Sequence, residues 1–103
     1  VRLVGVRSYG DVEVAVRSGS QGNPPPFAAG ASAAYEWAMG ASSRSPVTGV
    51  GAEGVPEMGL LTAEVDAAVV RLEDPVLPED DRAYTEGARD ALSWLCGYRE
   101  DAP

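Results

Sequence analysis

The sequence predicts an α+β fold, an N-terminal β-hairpin followed by three α-helices, and three observations predict it. Valines alternate with polar or small residues near the start, at Val4 and Val6 and again at Val12, Val14 and Val16, the period of a half-buried strand. Later apolar residues recur at three- and four-residue spacing in stretches that stop at Gly40 and Gly97, as helices do. Pro78 is followed by Glu79, Asp80 and Asp81, which marks a helix start, because Pro fits the first turn and carboxylates favour the positive end of the helix dipole.

Taken in order, the hairpin spans residues 1–17. With Ser8, Tyr9 and Gly10 as a three-residue loop, Val6 faces Val12, Val4 faces Val14 and Arg7 sits opposite Asp11. Residues 18–26 are rich in Ser, Gly, Asn and Pro and form a loop, extended at Pro24, Pro25 and Pro26. The first helix, 26–39, carries the stripe Phe27, Ala31, Ala34, Tyr35 and Ala38. Residues 41–59 hold six Gly or Pro breaks and little periodicity, an irregular loop longer than most connections in small domains. The second helix, 60–73, buries Leu61, Val65, Ala68, Val69 and Leu72, with Thr62 near its start and Pro75 beyond its end. The third, 78–96, buries Tyr84, Ala88, Ala91, Leu92 and Leu95. Core candidates are Val4, Val6, Val12, Val14, Phe27, Tyr35, Leu61, Val65, Val69, Leu72, Tyr84, Leu92 and Leu95.

The first and third helices read as copies of one unit, about 24–46 and 81–103. Gly30, Ala31, Ala34, Trp37, Gly40 and Pro46 match Gly87, Ala88, Ala91, Trp94, Gly97 and Pro103 at a constant offset of 57 residues. Ordinary helix-stop grammar is the other explanation. On either reading, small residues flank each Trp and let another helix approach closely, so the two helices are expected to pack on each other. Trp37 and Trp94 then belong either to that contact or to an interface with a partner.

A chain of 103 residues has room for one domain with one modest core. Its apolar fraction of 45% and charged fraction of 23% are those of a folded protein. All eight basic residues are Arg, Lys, Ile and His are missing, and Asn23 is the only Asn, a bias expected of a GC-rich, bacterial or phage-like genome. No imidazole serves as base or metal ligand, and no amine supports Schiff-base or P-loop chemistry. The single Cys96 excludes an internal disulfide and a Cys-rich zinc site, and it reads as a buried reduced thiol. No run reaches the roughly 18 apolar residues of a membrane span, so a soluble, cytoplasmic protein is expected. A chain opening on Val1 implies either an upstream segment or a non-standard start codon.

The net charge of −8 is concentrated: residues 51–81 carry nine acids against Arg71 alone. Such a surface repels nucleic-acid phosphate and attracts basic partners. No metal site is expected from Glu73, Asp74, Glu79, Asp80 and Asp81, whose spacing fits no Ca²⁺ loop and is broken by Pro75 and Pro78. The Gly-rich stretch 48–54 lacks the features of a phosphate-binding loop. The carboxylate pairs Glu64 with Asp66 and Glu86 with Asp90 are candidates for acid–base work, with Glu86 and Asp90 one helical turn apart on an outer face.

These features together predict a non-enzymatic, small acidic protein-binding module, a regulatory, immunity or antitoxin-like accessory factor that needs no cofactor. It masks a basic protein with Glu73, Asp74, Glu79, Asp80 and Asp81, and with Trp37 and Trp94 if these lie at an interface. The alternatives are a mimic of nucleic-acid charge that inhibits a DNA-binding protein, and a small ligand-binding protein or enzyme with a pocket under the 41–59 loop near Glu53, Glu57, Tyr35 and Arg44. The open edges of a short hairpin also predict a homodimer, by extension to four strands or by burial of the valine face.

Overall fold

The computed structural model describes residues 3–18, 22–49, 51 and 54–103. In chain order it contains β1 (Leu3–Val4), β2 (Arg7–Ser8), α1 (Tyr9–Ser18), α2 (Pro25–Ala38), α3 (Met58–Leu72) and α4 (Glu79–Leu95). The fold is mixed α+β and mostly helical.

The hairpin is far smaller than the sequence suggests. β1 and β2 are antiparallel, pairing Leu3 with Ser8 and Val4 with Arg7, and the expected second strand is α1, which makes four helices among the described residues rather than three. The alternation Val12, Val14, Val16 is ambiguous, because Val12, Ala15 and Val16 also fall at helical spacing. Val12 and Ala15 are buried and Val16 packs partly against the core, whereas Val14 is 60% exposed. Helix wins because Ser8 caps it: the Asp11 N–H donates to Ser8 Oγ at 3.2 Å, the side-chain-to-third-residue bond of an N-cap. The expected pairings of Val6 with Val12 and of Val4 with Val14 therefore do not occur.

The hairpin turn serves α4. Gly5, at φ +63°, lies so close to the Leu95 carbonyl that any Cβ would collide with it, and the Val6 N–H donates to that carbonyl at 2.9 Å. Arg7 secures the same helix end, with Nε donating to Trp94 O at 2.9 Å and Nη2 to Arg99 O at 2.7 Å. Its guanidinium lies 5.0 Å from the Trp94 ring centre, a cation–π distance. The strands thus satisfy carbonyls that the helix end leaves open.

At the centre, α4 packs against both α2 and α3. The α2–α4 contact is reciprocal. A Cβ on Gly30 would overlap the Tyr84 carbonyl and lie 3.1 Å from Ala88 N, while one on Gly87 would overlap the Phe27 carbonyl and lie 3.1 Å from Ala31 N. Tyr35 meets Trp94 edge-on at 6.1 Å. Contact partners advance together along both helices, so α2 and α4 run in the same direction about a local two-fold relationship. Their ends repeat as well. Met39 N–H to Tyr35 O, Gly40 N–H to Trp37 O and Ala41 N–H to Glu36 O measure 2.9, 3.1 and 2.8 Å. The bonds 57 residues later, from Cys96 to Leu92, Gly97 to Trp94 and Tyr98 to Ser93, measure 2.9, 3.1 and 2.8 Å. Gly40 and Gly97 take the left-handed conformation at φ +82° and +83°, closing each helix as Gly does.

Of the core candidates, Val4, Val12, Tyr35, Leu61, Val65, Leu92 and Leu95 are buried. Val6, Val14 and Val69 are exposed, and Phe27, Leu72 and Tyr84 are half-buried. Val69 lies off the face of α3 that meets α4, where Leu61, Val65 and Ala68 lie. Among the described residues no helix is long and apolar enough to cross a membrane.

Candidate functional site

The acidic residues that the sequence singles out gather at one corner, the turn between α3 and α4. α3 stops at Leu72 because the chain turns there: Glu73 N–H donates to Val70 O at 3.1 Å and Asp74 N–H to Arg71 O at 3.2 Å. Asp74 Oδ1 accepts the Val76 N–H at 3.0 Å, a side-chain-closed turn. Arg82, one turn into α4, reaches back with Nη1 to Leu72 O at 2.8 Å and Nη2 to Asp74 O at 2.7 Å. The planar fork of the guanidinium fixes the corner through two carbonyls. Arg82 was not among the residues expected from sequence, although an Arg four residues after a helix-initiating Pro is placed to do this.

The corner displays its charge. Glu73, Asp74, Glu79, Asp80 and Asp81 are all exposed, and none forms an ion pair among the described residues. Glu79, Asp80 and Asp81 occupy the first turn of α4, which the helix dipole favours. Between the two acidic groups stands Val76, 82% exposed, and Val70 on the last turns of α3 is 67% exposed. Among the described residues no group of three or more metal-ligating side chains is arranged to hold an ion.

Trp37 and Trp94 lie elsewhere and inside, at 1% and 7% exposure. Trp94 is enclosed by Tyr35 and Arg7. Both indoles are core groups of the α2–α4 pair and are separate from the acidic corner.

The groups named for a pocket under the 41–59 loop do not converge. Glu53 lies outside the described residues. Glu57 is exposed before α3, Arg44 is exposed and donates to Gly49 O at 3.3 Å, and Tyr35 is buried at the α2–α4 contact. The candidate acid–base pairs also have other partners. Glu64 is 3% exposed, and its carboxylate accepts the N–H groups of Val47 and Thr48 at 2.6 and 2.8 Å and the Thr48 hydroxyl at 2.9 Å. Asp66 is exposed, and Asp90 takes ion pairs from Arg89 and Arg99 at 3.0 and 3.3 Å.

One feature that the strand reading of residues 12–17 could not anticipate is a cleft of about 360 Å³ between α1 and the end of α2. It is lined by Tyr9, Glu13, Val16, Arg17, Glu36, Met39 and Ala41.

Comparisons with protein-family models, with curated proteins and with solved structures find no match.

Proposed function

We propose that the protein is a non-enzymatic protein-binding module whose α3–α4 corner docks on a basic surface of another protein. The observation that carries this reading is the exposure of five unneutralised carboxylates around Val76 on a turn held rigid by Arg82. Carboxylates alone would give salt-sensitive, unspecific attraction. An apolar centre with a charged rim is the anatomy of a specific interface.

The internal repeat supports placing function here. We read it as a duplicated helix unit, and the connections that lead into its two copies differ sharply. Connection 73–78 and the start of α4 carry five acids, whereas the equivalent connection, 19–24, carries none. Preorganisation lowers the ordering cost of binding, so a fixed corner suits a regulatory, immunity or antitoxin-like factor that must capture its target tightly.

The test is co-purification from the native host with mass spectrometry, followed by measurement of the identified complex. Neutralising Glu73, Asp74, Glu79, Asp80 and Asp81 to the corresponding amides abolishes binding on this reading, and Val76→Asp weakens it at unchanged fold. Binding that survives both changes refutes the proposal. If DNA competes with the protein for its partner, the module acts as a mimic of nucleic-acid charge.

Self-association belongs to the same proposal, but not by strand extension, since the paired strands among the described residues are just Leu3–Val4 and Arg7–Ser8, two residues each. Leu3, Val6 and Tyr98 are each at least half exposed, and Val6 lies over Gly97 next to Tyr98. A homodimer would use this apolar end, opposite the acidic corner along α4. Light scattering of Tyr98→Asp against the parent chain decides it.

A further inference from the structure

The helical pairs α1–α2 and α3–α4 are both joined by six residues, 19–24 and 73–78, yet α3 packs along α4 while α1 barely touches α2. The cleft of about 360 Å³ is the space this leaves, and it falls within the range of about 300–1,000 Å³ typical of small-ligand sites. Its floor is apolar. Tyr9, Val16 and Met39 pack by one side against the core and present the other to the cleft.

Its rim is charged in a specific way. Glu13 and Arg17 stand one helical turn apart on α1 and so share a face, and Glu36 faces them from α2. None of the three forms an ion pair among the described residues. A purely cationic ligand would meet the Arg17 guanidinium, and a purely anionic one would meet two carboxylates. A ligand carrying both charges satisfies all three groups, its ammonium toward Glu13 and Glu36 and its carboxylate on Arg17, the group best shaped to hold one. The geometry points to this cleft as a binding site for an apolar zwitterion, the chemistry of a hydrophobic α-amino acid. The site is independent of the acidic corner and does not rest on the protein-binding reading.

Amide chemical-shift titration of the full chain with L-phenylalanine tests it, alongside phenethylamine, which lacks the carboxylate, and hydrocinnamate, which lacks the amine. Saturable shifts confined to residues 9–17 and 36–41 are expected, with each single-charge analogue about tenfold weaker, the size of one lost charge-assisted contact. Arg17→Gln is expected to remove the preference over phenethylamine, and Glu36→Gln combined with Glu13→Gln the preference over hydrocinnamate. All three side chains are exposed, so these variants fold. Ala41→Trp, on the exposed rim, fills the cleft and blocks binding. Absence of saturable shifts, equal affinity for the three compounds, or binding unchanged in Arg17→Gln overturns the proposal.

Discussion

Glu64 holds Thr48 twice, one carboxylate oxygen accepting its backbone N–H at 2.8 Å and the other its hydroxyl at 2.9 Å. With the Val47 N–H at 2.6 Å, this buried carboxylate ties an irregular loop to α3, supplying the backbone partners that secondary structure would otherwise provide. Glu64→Ala leaves two amides and a hydroxyl to find other partners and is expected to cost about 3 kcal/mol, with Glu64→Gln intermediate. Chemical denaturation measures the loss, and amide exchange locates it: Val47 and Thr48 lose protection while the α2–α4 core keeps it. Uniform loss across the chain would mean that the carboxylate supports the whole fold rather than the loop.

The reciprocal approach of Gly30 to the Tyr84 carbonyl and Gly87 to the Phe27 carbonyl leads to a paired prediction. Ala at either position places a methyl group where backbone already stands, so the helices must separate along their whole contact. Each substitution is expected to cost at least about 2–3 kcal/mol, the range of core overpacking, although Ala is the better helix former by about 1 kcal/mol. The two losses should be alike and less than additive, because either one alone opens the same contact. Thermal melts of the single and double variants check both statements.

Tyr35 is buried against Trp94, and its hydroxyl has no hydrogen-bond partner. Burial, opposed by Arg99 and aided by Asp90, pushes its pKa up from 10.0 to about 12. In the unfolded chain the phenol ionises near its ordinary value, so between those limits the folded state binds the extra proton. The associated stability is complete below about pH 10 and is lost as pH rises toward 12. Tyr35→Phe removes both the unpartnered hydroxyl and this alkaline loss. It is expected to stabilise the protein at neutral pH by up to about 1 kcal/mol and to flatten the decline above pH 10. Denaturation midpoints of the two proteins across alkaline pH test the sign; a decline unchanged in the variant would assign it to other groups such as Tyr84, which burial also raises.

The helices were legible in the sequence because their signals agree at several levels. Pro78 with three acids starts α4, Gly97 stops it and its stripe is continuous, so local preference and burial coincide. The α2–α4 contact was legible for a rarer reason: the small residues occur twice at one offset, and close helix approach needs them on both partners. The acidic corner was readable as charge, but its rigidity was not, because it depends on Arg82 reaching ten residues back to Leu72 O. The loop anchor Glu64 looked like one half of an acid–base pair, since nothing local marks a carboxylate whose partners lie 16 and 17 residues away. α1 was misread because Val12 and Val16 share a face in a strand and in a helix alike, while Val14 and Ala15 are what separate the two, and Ser8 as a cap was the signal that distinguishes them.

That ambiguity can be settled by substitution at two neighbouring valines. In a strand, Val12 and Val14 share one face, so both would be buried or both exposed. In α1 they stand about 200° apart around the axis, with Val12 fully buried and Val14 60% exposed. Val12→Ala is therefore expected to cost about 2 kcal/mol as a core truncation, whereas Val14→Ala, at an exposed helix position where Ala is the better former, should stay within about 0.5 kcal/mol of the parent or stabilise slightly. Val14→Asp sharpens the contrast, since a charge on the strand's valine face would be ruinous and on the outer face of α1 is tolerated. Ser8→Ala completes the set by removing the acceptor of the Asp11 N–H, with an expected loss of about 1 kcal/mol. Denaturation curves for these four variants decide between the two conformations: equal large losses at Val12 and Val14 with no effect at Ser8 would restore the strand and remove the cleft that α1 forms with α2.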